Sequence, residues 1–370
     1  RPPVTVDFER HAAIALETAR AGIVLLANDG VLPLAASART ILLTGSYVDT
    51  IATGGGSARV AGWDNVTMRA ALEAELGSRL RVVADPTEDD VRAADIVVCN
   101  VGTFDSEGWD RPFELPPAEE ARVRLCVENN PRTVVVVTSG SGVRMTGVAD
   151  RAAAIVYAWY GGQIGNVALA EILVGKTNPS GKLPITIEKD FRDSPGHGYL
   201  PPGEELYVGF RDEEERKRAV WDLPYREGVF VGYRHYDARG IEPLFPFGHG
   251  LSYTTFAYEN LELSPFRDDG TLRVSFTIRN VGARAGTEIA QVYVEDVESR
   301  LPRPPRELAG FTRVTLAPGA AELVTVVLGQ RAFSYWDPAA HGWVLEPGAF
   351  RIHVGASSRD VRLVGDVTAR

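Results

Sequence analysis

The sequence predicts an α/β sandwich, a mostly parallel sheet flanked by helices, over residues 1–255, followed by an all-β sandwich over residues 256–370. Three observations predict it. Short apolar runs alternate with helix-compatible stretches through the first two-thirds of the chain, the pattern of a parallel sheet covered on both faces. Beyond Phe256 helical periodicity gives way to strand-like alternation punctuated by turn signals. A chain of 370 residues also exceeds what one hydrophobic core accommodates.

From Asp7 the apolar residues Ala12, Ala15, Leu16 and Ala19 recur at helical spacing, and the Asp7 carboxylate is placed to accept from first-turn amides, so a helix comes first. Strands are expected at 41–45, 96–101, 134–138 and 155–159, with helices over 65–76 and 117–128. The stretch 190–227, rich in charge, proline and glycine, reads as a long loop, and its DEEERKR run as a solvated face. In the second part LRVSFTIRNVG, GTEIAQVYVEDV, AELVTVVLGQ and GAFRIHVGAS read as strands, with APG and EPG turns between them. The loop ESRLPRPPREL reads as a connection, and no aromatic strip marks the β domain as a polysaccharide platform.

Thirty-nine basic side chains against 49 acidic ones leave a net charge of −10, which speaks against nucleic acid or an anionic membrane surface as partner and suits a neutral substrate. No apolar run reaches the roughly 20 residues that cross a bilayer. A soluble chain is expected, its compartment (cytoplasmic, periplasmic or secreted) and any homo-oligomeric state left open by the sequence. Cys99 and Cys126 lie far apart in the chain, without metal or redox spacing, and read as buried free thiols. The six histidines show no HExxH or other paired-ligand spacing, so neither a metal nor a cofactor is expected.

Two loops follow strands at the carboxyl edge of the sheet, where ligands gather: TGGGSARV and GTFDSEGWDR. The first lacks the ending of a phosphate loop, and neither serine of the nearby SGSG sits in a GxSxG elbow, so phosphate binding and serine-hydrolase chemistry are set aside. Glu107 in the second loop lies beside a glycine that lets the backbone turn and near Asp110 and Arg111. Read from spacing alone it is a surface carboxylate.

The order of motifs raises its standing. GIVLLANDGVLPL, TGGGSARV, SEGWDR followed by LPP, VVVVTSGSGV, AWYGGQIGNVALAEILVGKTNPSGKLPITI, GVFVGYRHYD and GIEPLFPFGHGLSYTTFAY succeed one another through most of the chain. Together they resemble the carboxy-terminal part of family 3 glycoside hydrolases. The resemblance implies an α/β sandwich domain over residues 1–255 and a fibronectin type III-like domain over residues 256–370. It implies that Glu107 is the general acid and base, and that Ser57, with Gly55 and Gly56 shaping its turn, borders the sugar, where Trp109 can stack. Asp105, Asp110 and Arg111 are the supporting residues. Relatives carry Glu where this chain has Asp105, which leaves Asp105 as a rival proton donor or as acidic support. Arg111 on Glu107 would oppose protonation of the acid, so Arg111 is expected on Asp110 or another acid.

The family's amino-terminal barrel supplies an aspartate nucleophile, and nothing in these 370 residues resembles it. A cleaved precursor, a separate subunit or a permuted continuation would each supply it. The implied function is that of one part of a retaining, exo-acting β-glycosidase, foremost a β-glucosidase, inactive without the barrel. A β-xylosidase, an aglycone-deglycosylating enzyme, and a non-catalytic carbohydrate-binding or scaffolding module are the alternatives.

Overall fold

The computed structural model of the chain describes residues 6–199, 224–267 and 269–369. The DEEERKR run lies outside them. The described residues pack as two units. The first comprises residues 6–181 with short returns at Lys189–Phe191 and 196–199; the second comprises Lys182–Glu188, Arg192–Pro195 and the residues from Pro224 onward.

In the first unit, helix α1 (Phe8–Gly22) starts where Asp7 accepts from the Arg10 amide at 3.0 Å. Strands β1 (Val24–Asn28) and β2 (Ile41–Gly45) follow, then α2 (Met68–Leu76), capped by Thr67, and the short β3 (Leu80–Val82). A Thr87–Asp90 capping box opens α3 (Glu88–Ala93), and proline begins α4 (Pro117–Asn129), where its missing N–H costs nothing. Strands β4 (Ile96–Gly102), β5 (Thr133–Thr138) and β6 (Ala154–Tyr157) and helix α5 (Gly165–Val174) complete the unit.

The strand order is β1-β6-β5-β4-β2-β3. All neighbours run parallel except β1, which pairs antiparallel with β6 at one edge. Strands β4 and β5 are buried at every position because both faces of a parallel sheet are covered, which is why they read as mostly apolar runs without alternation. Their carboxyl ends are drawn together. The Asn100 amide donates to Thr138 Oγ1 at 2.9 Å and its carbonyl accepts from the Tyr47 amide at 3.1 Å. Gly102 lies so close to β5 that a Cβ would stand 2.1 Å from the Thr138 carbonyl oxygen.

The thiols of Cys99 on β4 and Cys126 on α4 are both free and fully buried. Their distance in sequence hid a contact: helix α4 packs on β4, and the two side chains hydrogen-bond. That bond, with burial behind it, pushes the Cys99 thiol well up.

The second unit contains α6 (Tyr233–Arg239) and an antiparallel sandwich. One sheet joins β10 (Glu307–Leu316), β9 (Gly286–Asp296), β14 (Gly348–Gly355) and β15 (Val361–Ala369) in that order. The other joins β11 (Ala321–Leu328), β8 (Leu272–Asn280) and β7 (Phe256–Leu263). Phe276, Phe333 and Phe350 fill the space between the sheets, the last two crossing edge to face at 5.3 Å. Asp237 of α6 is buried between Arg306 (3.4 Å) and Arg359 (2.5 Å). In ESRLPRPPREL, Arg300, Arg303 and Arg306 sit on Glu346, Asp296 and Asp237, so the loop is fastened to its own unit.

A hairpin of β12 (Ser334–Asp337) and β13 (Gly342–Leu345) carries an aromatic pair that the sequence pattern did not reveal. Trp336 and Trp343 stand opposite each other across the strands with rings 5.6 Å apart, and the Arg331 guanidinium covers Trp343 at 3.0 Å. The pair packs on itself and on the cation. Among the described residues no helix is long and apolar enough to cross a membrane.

Candidate active site

The two conspicuous loops leave β2 and β4, adjacent parallel strands, at their carboxyl ends. After β4 the chain reaches Asp105 and folds a tight turn. The Trp109 amide donates to the Ser106 carbonyl at 3.2 Å, with Gly108 at φ +73°, the third-position geometry of a type II turn that glycine adopts without strain. Glu107 occupies the second position, so its side chain projects from the tip and is exposed.

The glycine-rich loop comes alongside. Gly55 is buried, forms a parallel bridge to Ser106, and donates its amide to the Asp105 carbonyl at 2.8 Å. Gly56 then turns at φ +60° into a single 3₁₀ turn, Gly56–Ala58. That turn lifts Ser57 so that its hydroxyl donates to the Glu107 carboxylate. Trp109 stands exposed beside Glu107, as does Phe104 on the other side of Asp105. Asp110 is also exposed. The structure thus brings Gly55, Gly56, Ser57 and Glu107 into one small constellation.

Asp105 is held differently. Its carboxylate accepts from the Tyr160 hydroxyl at 2.5 Å, the Gly140 amide and Thr103 Oγ1 at 2.9 Å each, and Ser141 Oγ at 3.1 Å, and it is ion-paired with Arg111 Nε. Partial burial alone would raise the Asp105 carboxyl. The Tyr160 hydroxyl, the Arg111 guanidinium and the Gly140 amide outweigh it and hold the group well below the usual carboxylate range. A carboxylate so anchored has no proton to give. Arg111 rests on Asp105 and reaches Ser141 Oγ (2.7 Å) and the Gly142 carbonyl (2.9 Å), away from Glu107.

Tyr160 and the Ser139–Ser141 loop escaped the sequence reading. Nothing in the sequence marks Tyr160, and SGSG presents itself there only as a failed nucleophile elbow. The available signal was a buried-strand terminus, β5, ending in small hydroxyl residues opposite an acidic loop. Burial and the bond to Asp105 push the Tyr160 hydroxyl up to about 12, so it keeps its proton as a donor. Behind it, Tyr47, Ile51, Thr138 and Trp159 help line a cavity of about 20 Å³, room for a water and not for a sugar ring.

Comparison with known proteins now decides the family. Residues 23–233 match the model of the glycosyl hydrolase family 3 C-terminal domain, and residues 288–358 match that of the fibronectin type III-like domain. The chain belongs to glycoside hydrolase family 3. It is 36% identical to thermostable beta-glucosidase B of Acetivibrio thermocellus over 96% of this chain and 48% of that protein. The family 3 beta-glucosidase of Bifidobacterium adolescentis superposes with TM-score 0.86 at 31% identity, covering 100% of this chain and 55% of that one. DesR, a beta-glucosidase from Streptomyces venezuelae solved with D-glucose, gives TM-score 0.88 at 25% identity over 100% of this chain and 61% of its own. The chain spans about half the length of the curated relatives it matches. The α/β sandwich and fibronectin type III-like assignments of the sequence reading therefore hold.

Proposed function

We propose that this chain is the acid/base-bearing part of a retaining, exo-acting β-glucosidase, and that a barrel outside these residues supplies the aspartate nucleophile. The observation that carries the reading is the Glu107 carboxylate, displayed at the tip of a glycine-supported turn and touched by Ser57, while its neighbour Asp105 is locked by five donors. Of Asp105 and Glu107, the two candidates for proton donor, it is Glu107 that is placed to approach a substrate oxygen.

Retaining hydrolysis uses two carboxyl groups about 5–5.5 Å apart. The nucleophile attacks the anomeric carbon while Glu107 gives its proton to the departing glycosidic oxygen, leaving a glycosyl ester on the aspartate. Glu107, now a carboxylate, takes a proton from water as that water attacks the same carbon and releases the aspartate. Ser57 can exchange its bond to Glu107 for one to a sugar hydroxyl, and Trp109 can stack on the sugar or aglycone. The exposed Phe104 and Trp109 suit a surface that another domain covers.

The names of the matched relatives support β-glucosides as substrates; the groups reading the sugar's other hydroxyls belong to the barrel. The test is Glu107→Gln in the complete enzyme, assayed on aryl β-glucosides and β-xylosides of graded leaving-group basicity. Removing a general acid costs about 10²–10⁴-fold where the leaving group needs a proton and far less where it does not. An equal, small loss throughout would remove Glu107 from the role. The chain purified without the barrel is expected to turn over none of these substrates.

A further inference from the structure

Trp159 has its backbone in the left-handed region at φ +55°, a conformation that bulky residues avoid and that persists only where surroundings enforce it. Here the enforcing groups are close. The Tyr157 ring lies 4.6 Å from the Trp159 ring, and Gly161 packs so tightly that a Cβ would come within 2.8 Å of Gly165 Cα. The reversal turns the next residue, Tyr160, back over the end of the sheet.

The hydroxyl it delivers meets three groups of the Glu107 loop. It accepts from the Asp105 amide at 3.0 Å, donates to Asp105 Oδ2 at 2.5 Å, and has the Thr103 carbonyl at 2.9 Å as a second acceptor. A phenol has one proton, and the charged oxygen at the shorter distance is the stronger claimant. Asp105 is therefore gripped at backbone and side chain by one residue while its carbonyl holds Gly55. Glu107 is two residues further on. Its turn is otherwise fixed by the single Ser106–Trp109 bond and by the Gly55 and Ser57 contacts, which themselves depend on Asp105 staying in place.

We propose that Tyr160 is a positioning residue for the proton donor: through Asp105 it sets where the Glu107 carboxyl stands relative to the glycosidic oxygen. The inference rests on the acid/base reading of Glu107. A misplacement of about 1 Å in a reacting group can cost about 100-fold, and Tyr160 touches neither sugar nor nucleophile in this role.

The test is Tyr160→Phe in the complete enzyme, with Glu107→Gln and the double variant beside it, on aryl β-glucosides of graded leaving-group basicity. Tyr160→Phe is expected to lower kcat about 10–100-fold for basic leaving groups and by less than about 3-fold for the most activated, with KM nearly unchanged. In the double variant the Tyr160→Phe loss should vanish, because a positioning residue has no effect once its client is gone. A loss independent of leaving group, or one that persists in full beside Glu107→Gln, would overturn the proposal. A steep Glu107→Gln series with a flat Tyr160→Phe series would sink Tyr160 alone; a flat Glu107→Gln series would sink the acid/base reading and this inference with it. Should Tyr160→Phe fail to fold, Asp105→Ala removes the oxygen to which Tyr160 donates and must show the same steep loss, a flat one counting against the proposal.

Discussion

The amide of Gly55 donates to the carbonyl of Asp105 at 2.8 Å, a buried backbone bond that helps couple the two loops of the site. Asp105 belongs to the loop after β4, Gly55 to the loop after β2, and each is two residues ahead of a side chain that matters: Glu107 in one, Ser57 in the other. The Ser57–Glu107 contact is therefore set by a buried backbone bond between residues that touch no substrate. Loops held this way at the rim of a rigid sheet can position groups as closely as regular elements do.

Gly55→Ala tests that coupling. The new methyl would lie 2.6 Å from Phe104 Cζ and 2.8 Å from both Cβ and Oγ of Ser106. The exposed Phe104 ring can swing away, but Ser106 is part of the bridge, so the loops must separate. Overpacking of this kind costs about 1–3 kcal/mol. The expected outcome is a modest drop in unfolding free energy by urea titration together with at least about a 10-fold loss of kcat/KM in the complete enzyme. Full activity would mean that the Gly55 bond does not set the site.

Asp105→Asn tests the anchor through pH. Burial would raise the native carboxyl, but the Tyr160, Arg111 and Gly140 donors hold it below its ordinary range. A depressed native value means that the contribution is complete above the ordinary carboxylate range and is lost as pH falls through the native value. The variant should be less stable by about 2 kcal/mol near neutrality, the scale of hydrogen bonds to a charged group. The gap from the parent should narrow from about pH 4 downward. Urea titrations at pH 7 and pH 3 read this directly, and a gap of constant size would show that the Asp105 charge is not what holds the loop.

Much of the first unit was legible because burial on both faces leaves a plain mark: β4 and β5 are buried at every position and carry the apolar cores IVVC and VVVV that read as strands. The antiparallel edge strand β1 was not among the strands expected from the sequence, since VLLAN is short and shows no period-two alternation. In the second unit, period-two alternation marked β8 and β9, while the short β12–β13 hairpin hid its cross-strand Trp336–Trp343 pair because six residues lie between them in the chain. At the site, the Glu107 and Ser57 loops were visible as glycine-supported turns with polar side chains. The Asp105 anchor was not, because donors come from the segments that follow strands β4, β5 and β6 and only the fold brings them together. The sequence likewise gives no physical reason for NPSGKLP, part of one of the motifs that carry the family resemblance. Its Lys182 pairs with the buried Glu288 at 3.0 Å and donates to the Gly250 carbonyl at 2.9 Å, an ion pair inside the second unit.

Asp237→Asn tests the polar centre of that unit. The Asp237 side chain is 2% exposed and faces Arg306 and Arg359, which are 21% and 25% exposed. Neutralising it leaves two guanidinium groups without their shared counter-charge, and breaking a buried pair from one side costs about 3–5 kcal/mol. Amide exchange should speed up by the corresponding factor in β9, β10, β14 and β15. Exchange in β4 and β5 should stay at the parent rate. Loss of protection in both units alike would show that they unfold as one body.

The thiols provide the last prediction, and it concerns the packing of α4 on β4. Cys99 and Cys126 are 0% exposed, so neither sulfur can be reached by a reagent in the native state, and the Cys99 thiol is in addition pushed up by its bond to Cys126 and by burial. Ellman's reagent should therefore label no thiol in the folded protein at pH 8, and two in guanidinium chloride. Cys126→Ala should weaken the unit by about 1 kcal/mol, the order expected for deleting one small buried group, and Cys99 should remain unreactive, because helix α4 still covers it. Rapid labelling of Cys99 in that variant would mean that the helix depends on the thiol contact for its seat on the strand, and that the strand which ends at the Glu107 loop is less firmly covered than its burial implies.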